Sequence, residues 1–204
     1  MKTLIVYAHP RKESFCQGIL EMAVSTLSTG GNEVIVRDLC AMNFDPVLKS
    51  EETIHIRDGK FTRDLDEPLA DVKVEQELII EADLLIYIFP IWWNAMPAIM
   101  KGYVDRVFSH GFFYNMDGSP DPRLSGKQAY MISTTGQPQE SSDTNGLNDA
   151  IRRLSSEWMF TDNNGIKLLG HDIYGSVPYL EKDKLRAILK EIEDNLRGLI
   201  NQTE

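Results

Sequence analysis

The chain has 204 residues, 42% apolar and 25% charged, with a formal net charge of −10 from 31 acidic and 21 basic residues. An acidic chain without a clustered Lys/Arg stripe lacks the phosphate-neutralising surface that nucleic-acid binding requires. Two isolated cysteines, Cys16 and Cys40, do not make a disulfide framework.

A chain of this length buries about 70% of its unfolded surface around one core, and one domain over residues 1–204 is expected. No apolar run approaches the ~18 residues of a membrane helix. The opening MKTLIVYAHP is too short in its apolar part for a secretory signal. The cytoplasm is the expected compartment.

In chain order, TLIVYA (3–8) is apolar without alternation, the pattern of a strand covered on both faces. FCQGILEMAVSTLS (15–28) spaces Ile19, Leu20, Ala23, Val24 and Leu27 as one helical face. VIVRDL (34–39) is a second strand. Residues 41–70 carry no strong period and are expected to form a long excursion with at most a short helix. VKVEQELIIEAD (72–83) reads as a helix with Val74, Leu78 and Ile79 as its apolar stripe. LLIYIF (84–89) is a third strand, and PAIMKGYVDRVF (97–108) a helix with Pro97 at its first position. KQAYMIST (127–134) is a fourth strand, followed by a polar loop (135–146) and a helix (147–160). GIKLLGHDIYGSV (165–177) holds a fifth strand, broken in the middle, and 183–200 an amphipathic terminal helix.

Buried strands alternating with amphipathic helices predict an α/β fold, a doubly wound five-stranded parallel sheet of flavodoxin-like order 2-1-3-4-5. Ligands of such sheets sit outside the carboxyl ends of the strands. Three loops lie there: HPRKESF (9–15), PIWWNAM (90–96) and STTGQPQ (133–139). The first feeds a helix N-terminus, where free N–H groups favour an anion. His9, Arg11 and Lys12 add donors or charge, and Ser14 serves as N-cap or phosphate ligand. The same residues also fit a plain capped loop. The second loop stiffens Trp92 and Trp93 between Pro90 and Pro97. Alternation along an extended path brings at most one of the two tryptophans to the crevice; both are also readable as core or interface aromatics. Thr134, Thr135, Gly136 and Gln137 could bond the heteroatom edge of a flat ring, or form an ordinary turn. Walker A, G-x-G-x-x-G and G-x-S-x-G patterns are absent, and no His/Asp/Glu cluster has metal-ligand spacing.

Taken together, YAHPRKESFCQGI, DPVL, EQELIIEAD, FPIWWNAMPAIMKGYVDRVF, GFFY (111–114) and STTG resemble the flavodoxin-like NAD(P)H:quinone oxidoreductase, or DT-diaphorase-like, family over residues 3–137. Beyond residue 140 only the general architecture is similar. The resemblance implies a flavoenzyme passing two electrons from NAD(P)H to quinones or similar acceptors by a ping-pong mechanism. It implies FAD, with FMN as the alternative, and a homodimer with its site at the interface. His9, Ser14, Phe15 and Cys16 would hold the phosphates and nearby groups. Pro90, Ile91, Trp92 and Trp93 would pack on the isoalloxazine, and Thr134, Thr135, Gly136 and Gln137 would hold its pyrimidine side. Tyr114, from the neighbouring subunit, and Gly136 would line the substrate pocket.

Cys16 stands where an Asn is common, and Gln137 replaces a frequent second Gly. Mammalian members place a Tyr and a His just after the TTG loop, and residues 137–151 contain neither. His171 is read as structural or exposed, and neither His55 nor His110 lies in a recognisable catalytic pattern. The run DLDEP (64–68) is read as a solvated loop. A non-catalytic electron carrier, or a regulatory subunit of a transport system, is the alternative reading.

Overall fold

The computed structural model describes residues 1–29, 31–115, 117–160 and 164–201. Its elements are β1 (Lys2–Tyr7), α1 (Phe15–Thr29), β2 (Glu33–Asp38), β3 (Ile54–Arg57), β4 (Lys60–Arg63), α2 (Ala70–Glu81), β5 (Leu84–Pro90), α3 (Ala98–Val107), β6 (Lys127–Thr134), α4 (Gln139–Thr144), α5 (Leu147–Arg152), β7 (Ile166–Tyr174) and α6 (Lys182–Asn201). The main sheet has five strands in the order β2-β1-β5-β6-β7, all parallel. It is the expected doubly wound order.

Every residue of β5 is buried. Its side chains alternate between two cores: Leu85, Tyr87 and Phe89 face Val72, Ile79, Met100 and Tyr103 of α2 and α3. Leu84, Ile86 and Ile88 face Ile19, Ala23, Leu27, Ile192 and Leu196 of α1 and α6. Helices on both faces are why the strand sequences show no polar alternation. Each large apolar side chain so buried is worth about 1.5–3 kcal/mol.

Several boundaries differ from expectation. The α2 stripe is built from Val72, Glu75, Gln76 and Ile79, while Val74 is 46% exposed. Glu75 is buried because Arg37 of β2 holds it in an ion pair at 2.5 Å. Pro97 is the N-cap of α3, one position ahead of the helix proper. The polar loop after β6 contains α4, and the helix from 147 passes into a π-helical turn at Arg153–Glu157. The fifth strand is continuous, because its irregularity is a bulge. Ala129 pairs with Leu168 and Tyr130 with Gly170, leaving Leu169 as the extra residue. The Tyr130 ring lies over Gly170, where a Cβ would stand 3.3 Å from it.

The 41–70 excursion contains a 3-10 turn at Ser50–Glu52 and the antiparallel hairpin β3-β4. Asp58 and Gly59 turn the hairpin at φ 53° and 73°, both left-handed. Within DLDEP, Asp64 pairs with Arg57 at 2.9 Å and lies 2.9 Å from the His55 ring, so part of that run is tied to the hairpin. Arg106 of α3 anchors the excursion. It bonds Glu52 at 3.0 Å, Asp71 at 2.6 Å and the Asp45 carbonyl at 2.8 Å. Gly102 lets the Pro46 backbone lie directly on α3, where a Cβ would meet the Pro46 carbonyl at 2.2 Å. Among the described residues no helix is long and apolar enough to cross a membrane.

Candidate functional site

The strand order reverses between β1 and β5, and the loops leaving β1, β5 and β6 meet there. The Ala8 N–H donates to Ile88 O at 3.1 Å. The Ile91 N–H donates to Thr134 O at 2.7 Å, carrying the ladder one residue past Pro90. Between these loops lies a crevice of about 270 Å³, lined by His9, Ser14, Phe15, Cys16, Pro90, Ile91, Trp92, Thr134, Thr135 and Gly136. It opens into a wider space of about 560 Å³ that Trp93 and Gln137 also line. The fold therefore brings all twelve expected cofactor residues to one place.

At the narrow end, Ser14 caps α1. Its Oγ accepts from the Gln17 N–H at 3.1 Å, and Tyr7 Oη lies 3.5 Å from the same oxygen. The first-turn N–H groups at Phe15 and Cys16 have no intrahelical acceptor by helix geometry, and the positive end of the helix dipole faces the crevice. His9 Nδ1 accepts from the Arg11 N–H at 3.1 Å. That bond fixes the neutral ring with its proton on Nε2. Burial pushes the His9 pKa down, with the nearby Arg11 charge acting in the same direction. The Trp92 indole meets His9 edge-on with centroids 5.7 Å apart.

Trp92–Ala95 is a tight turn closed by two bonds, Trp92 N–H to Ala95 O at 3.0 Å and Ala95 N–H to Trp92 O at 3.1 Å. Its central residues, Trp93 at φ 51° and Asn94 at φ 61°, are both left-handed, as in a type I′ turn. A bulky residue there costs about 1–2 kcal/mol. Trp93 gains no packing in return, being 99% exposed, while Trp92 is 46% exposed. The turn, and not strand alternation, decides which ring goes where.

Cys16 and Thr134 join two of the loops at the base of the crevice, with Sγ and Oγ1 3.1 Å apart. Burial pushes the Cys16 thiol up to about 11, so it is a neutral hydrogen-bonding group and not a thiolate. Among the described residues no cluster could hold a metal ion. The donor set suits an anion at one end and a flat heteroaromatic ring with polar edges along the rest. Cationic Arg11 and acidic Glu13 both stand at its wall.

Outside the three expected loops, Val177 and Pro178 line the narrow part and Tyr179 the wide part. All lie just after β7. The strand-end rule that selected the other loops selects this one too, once the fifth strand ends at Tyr174. Tyr114 lies outside the crevice of its own chain. It is 43% exposed and lines a separate cavity of about 400 Å³ with Trp158 and Phe113. His171 is structural: it is buried against Ser133 Oγ at 2.6 Å and Ser156 Oγ at 3.2 Å.

Fold and crevice together define a flavodoxin-like α/β protein, and residues 1–186 match the family of flavodoxin-like fold. An uncharacterized NAD(P)H oxidoreductase of Haemophilus influenzae is 31% identical over 194 residues, 94% of this chain and 92% of the relative. Human ribosyldihydronicotinamide dehydrogenase (quinone) is 37% identical over 162 residues, 74% of this chain and 70% of the relative. The structure of NAD(P)H:quinone oxidoreductase from Methanothermobacter marburgensis superposes with a TM-score of 0.81 at 25% identity, covering 98% of this chain and 96% of that one. The chain belongs to the flavodoxin-like NAD(P)H:quinone oxidoreductase family and is an oxidoreductase of that kind.

Proposed function

We propose that the crevice holds FAD and that the enzyme passes two electrons from NAD(P)H to a quinone by a ping-pong cycle. A bound flavin would supply the acceptance and release of hydride, chemistry that needs no protein acid or base. The observation that carries this reading is the convergence of three separate loops on one crevice with an anion-favouring end, flat aromatic walls and a polar edge.

In this reading the first turn of α1, with Ser14, Phe15 and Cys16, holds the phosphates. His9 offers its Nε2–H as a neutral donor beside them. Pro90, Ile91 and Trp92 form the flat wall. Thr134, Thr135 and Gly136 supply short side chains and backbone along the polar edge, and Gln137 adds an amide. Gly136 leaves a side of that edge open, its nearest neighbour being Pro178 at 3.8 Å from where a Cβ would lie. FAD is preferred to FMN because the long 41–70 excursion resembles that of FAD-binding members of the family.

The acceptor enters the wide part of the crevice after the nicotinamide leaves. A homodimer would bring Tyr114 of the partner subunit over that opening. Its exposed ring beside an apolar cavity suits such a contact. The reading is tested by oxidation of NAD(P)H with and without a soluble quinone. The expected result is quinone-dependent consumption with parallel double-reciprocal lines. Intersecting lines would overturn the ping-pong cycle, and no quinone dependence would favour a carrier.

A further inference from the structure

The loop between β7 and α6 is fastened to its neighbour more firmly than its surface position requires. The Thr135 N–H donates to Tyr174 O at 2.8 Å, the Ser176 N–H to Gln137 O at 2.7 Å, and the Val177 N–H to Thr135 O at 3.1 Å. Gly175 lies so close to this partner that a Cβ would fall 2.7 Å from Gln139 N and 2.8 Å from Gln137 O. Ser176 is left-handed at φ 58°. The Tyr179 N–H closes the turn on Ser176 O at 2.8 Å.

What this anchoring delivers is a ring in water. Tyr179 is 80% exposed, so its side chain adds little to the core. It lines the wide part of the crevice with Gln137, Gly136 and Trp93. Trp93 is presented in a similar way: its backbone is fixed in a tight turn, here at a left-handed φ of its own, and its ring is exposed. Strained or closely tied backbone that holds an unpacked side chain at a crevice points to a ligand contact. Two flat rings select a planar ligand, and the phenol hydroxyl is a donor for a carbonyl oxygen.

We propose that Tyr179 is a substrate-contacting residue, its hydroxyl donating a hydrogen bond to a carbonyl oxygen of a planar quinone that lies between it and Trp93. This rests on the flavoenzyme reading above and adds to it which residue recognises the acceptor.

The test uses the full-length, flavin-loaded protein with two acceptors: menadione, a naphthoquinone with ring carbonyls, and ferricyanide, which has none. Tyr179→Phe removes the hydroxyl alone, and Tyr179→Ala removes the ring as well. The KM for menadione is expected to rise about two- to tenfold in Tyr179→Phe and at least as much in Tyr179→Ala. Flavin content should match the parent, and the loss should be larger with menadione than with ferricyanide, because only menadione offers a carbonyl to the missing hydroxyl. An unchanged menadione KM in both variants, or an equal loss with ferricyanide, would overturn the assignment. A parent protein that is colourless, or that oxidises NAD(P)H with neither acceptor, overturns the flavoenzyme reading itself. An active parent with indifferent variants sinks only the role of Tyr179.

Discussion

Trp93 and His171 show how single residues here trade stability against site geometry. At φ 51° Trp93 occupies a conformation that glycine adopts without penalty, and its ring packs on nothing in the chain. Trp93→Gly is therefore expected to raise unfolding stability by about 1 kcal/mol, read from urea unfolding, while weakening quinone turnover. Lower stability in that variant would show that the ring is packed in solution. His171 carries the opposite lesson. Ser156 Oγ already donates to Arg152 O at 2.7 Å, so it accepts from His171 Nδ1–H, and Ser133 donates to Nε2. Burial pushes the His171 pKa down from 6.5 to about 3. Between those values the unfolded chain binds a proton that the folded chain refuses. The stability linked to His171 is thus complete above the unfolded pKa and drains away as pH falls through this window. His171→Phe should cost stability at neutral pH, because the buried Ser133 hydroxyl loses its acceptor while Ser156 keeps its bond to Arg152 O. It should also lose about 2 kcal/mol less than the parent between about pH 7 and pH 5. Parallel pH profiles for the two proteins would contradict this.

At the scale of elements, the excursion before α2 depends on one cation. Arg106 is almost wholly buried and joins Glu52, Asp71 and the Asp45 carbonyl. Arg106→Ala strands buried carboxylate and carbonyl groups, and a loss of about 3–5 kcal/mol is expected, with early proteolytic cleavage within residues 45–69. A variant as stable and protease-resistant as the parent would show that the excursion is held by other means. The strands of the main sheet were legible because β5 and its neighbours are uniformly apolar. The cofactor loops were legible because they follow those strands. The hairpin β3-β4 was not read, although its Asp58-Gly59 turn is a recognised hairpin signal. Its strands, IHIR and KFTR, mix charge with apolar residues and bury little, so periodicity was silent. The α2 stripe misled for a different reason. Glu75 looks like a surface residue until Arg37, 38 positions away, supplies its counter-charge.

For the whole molecule, the order β2-β1-β5-β6-β7 puts the carboxyl ends of β1, β5 and β6 side by side. The crevice follows from topology before any side chain is considered. The side chains then make it specific: a helix N-terminus at one end, Trp92 along the wall and short polar residues along the edge. The Tyr/His pair that the sequence lacks after residue 137 is not replaced by His171, which is locked in the core. Tyr179, from a loop on the next strand, is the aromatic hydroxyl that the fold places at the wide opening. The central claim is that this crevice holds a flavin, and the most direct test is the visible spectrum of protein purified from riboflavin-replete cells, followed by the mass of the cofactor released on denaturation. The account predicts yellow protein that bleaches on addition of NAD(P)H, regains its colour with quinone, and releases FAD. Colourless protein that takes up neither FAD nor FMN would contradict it.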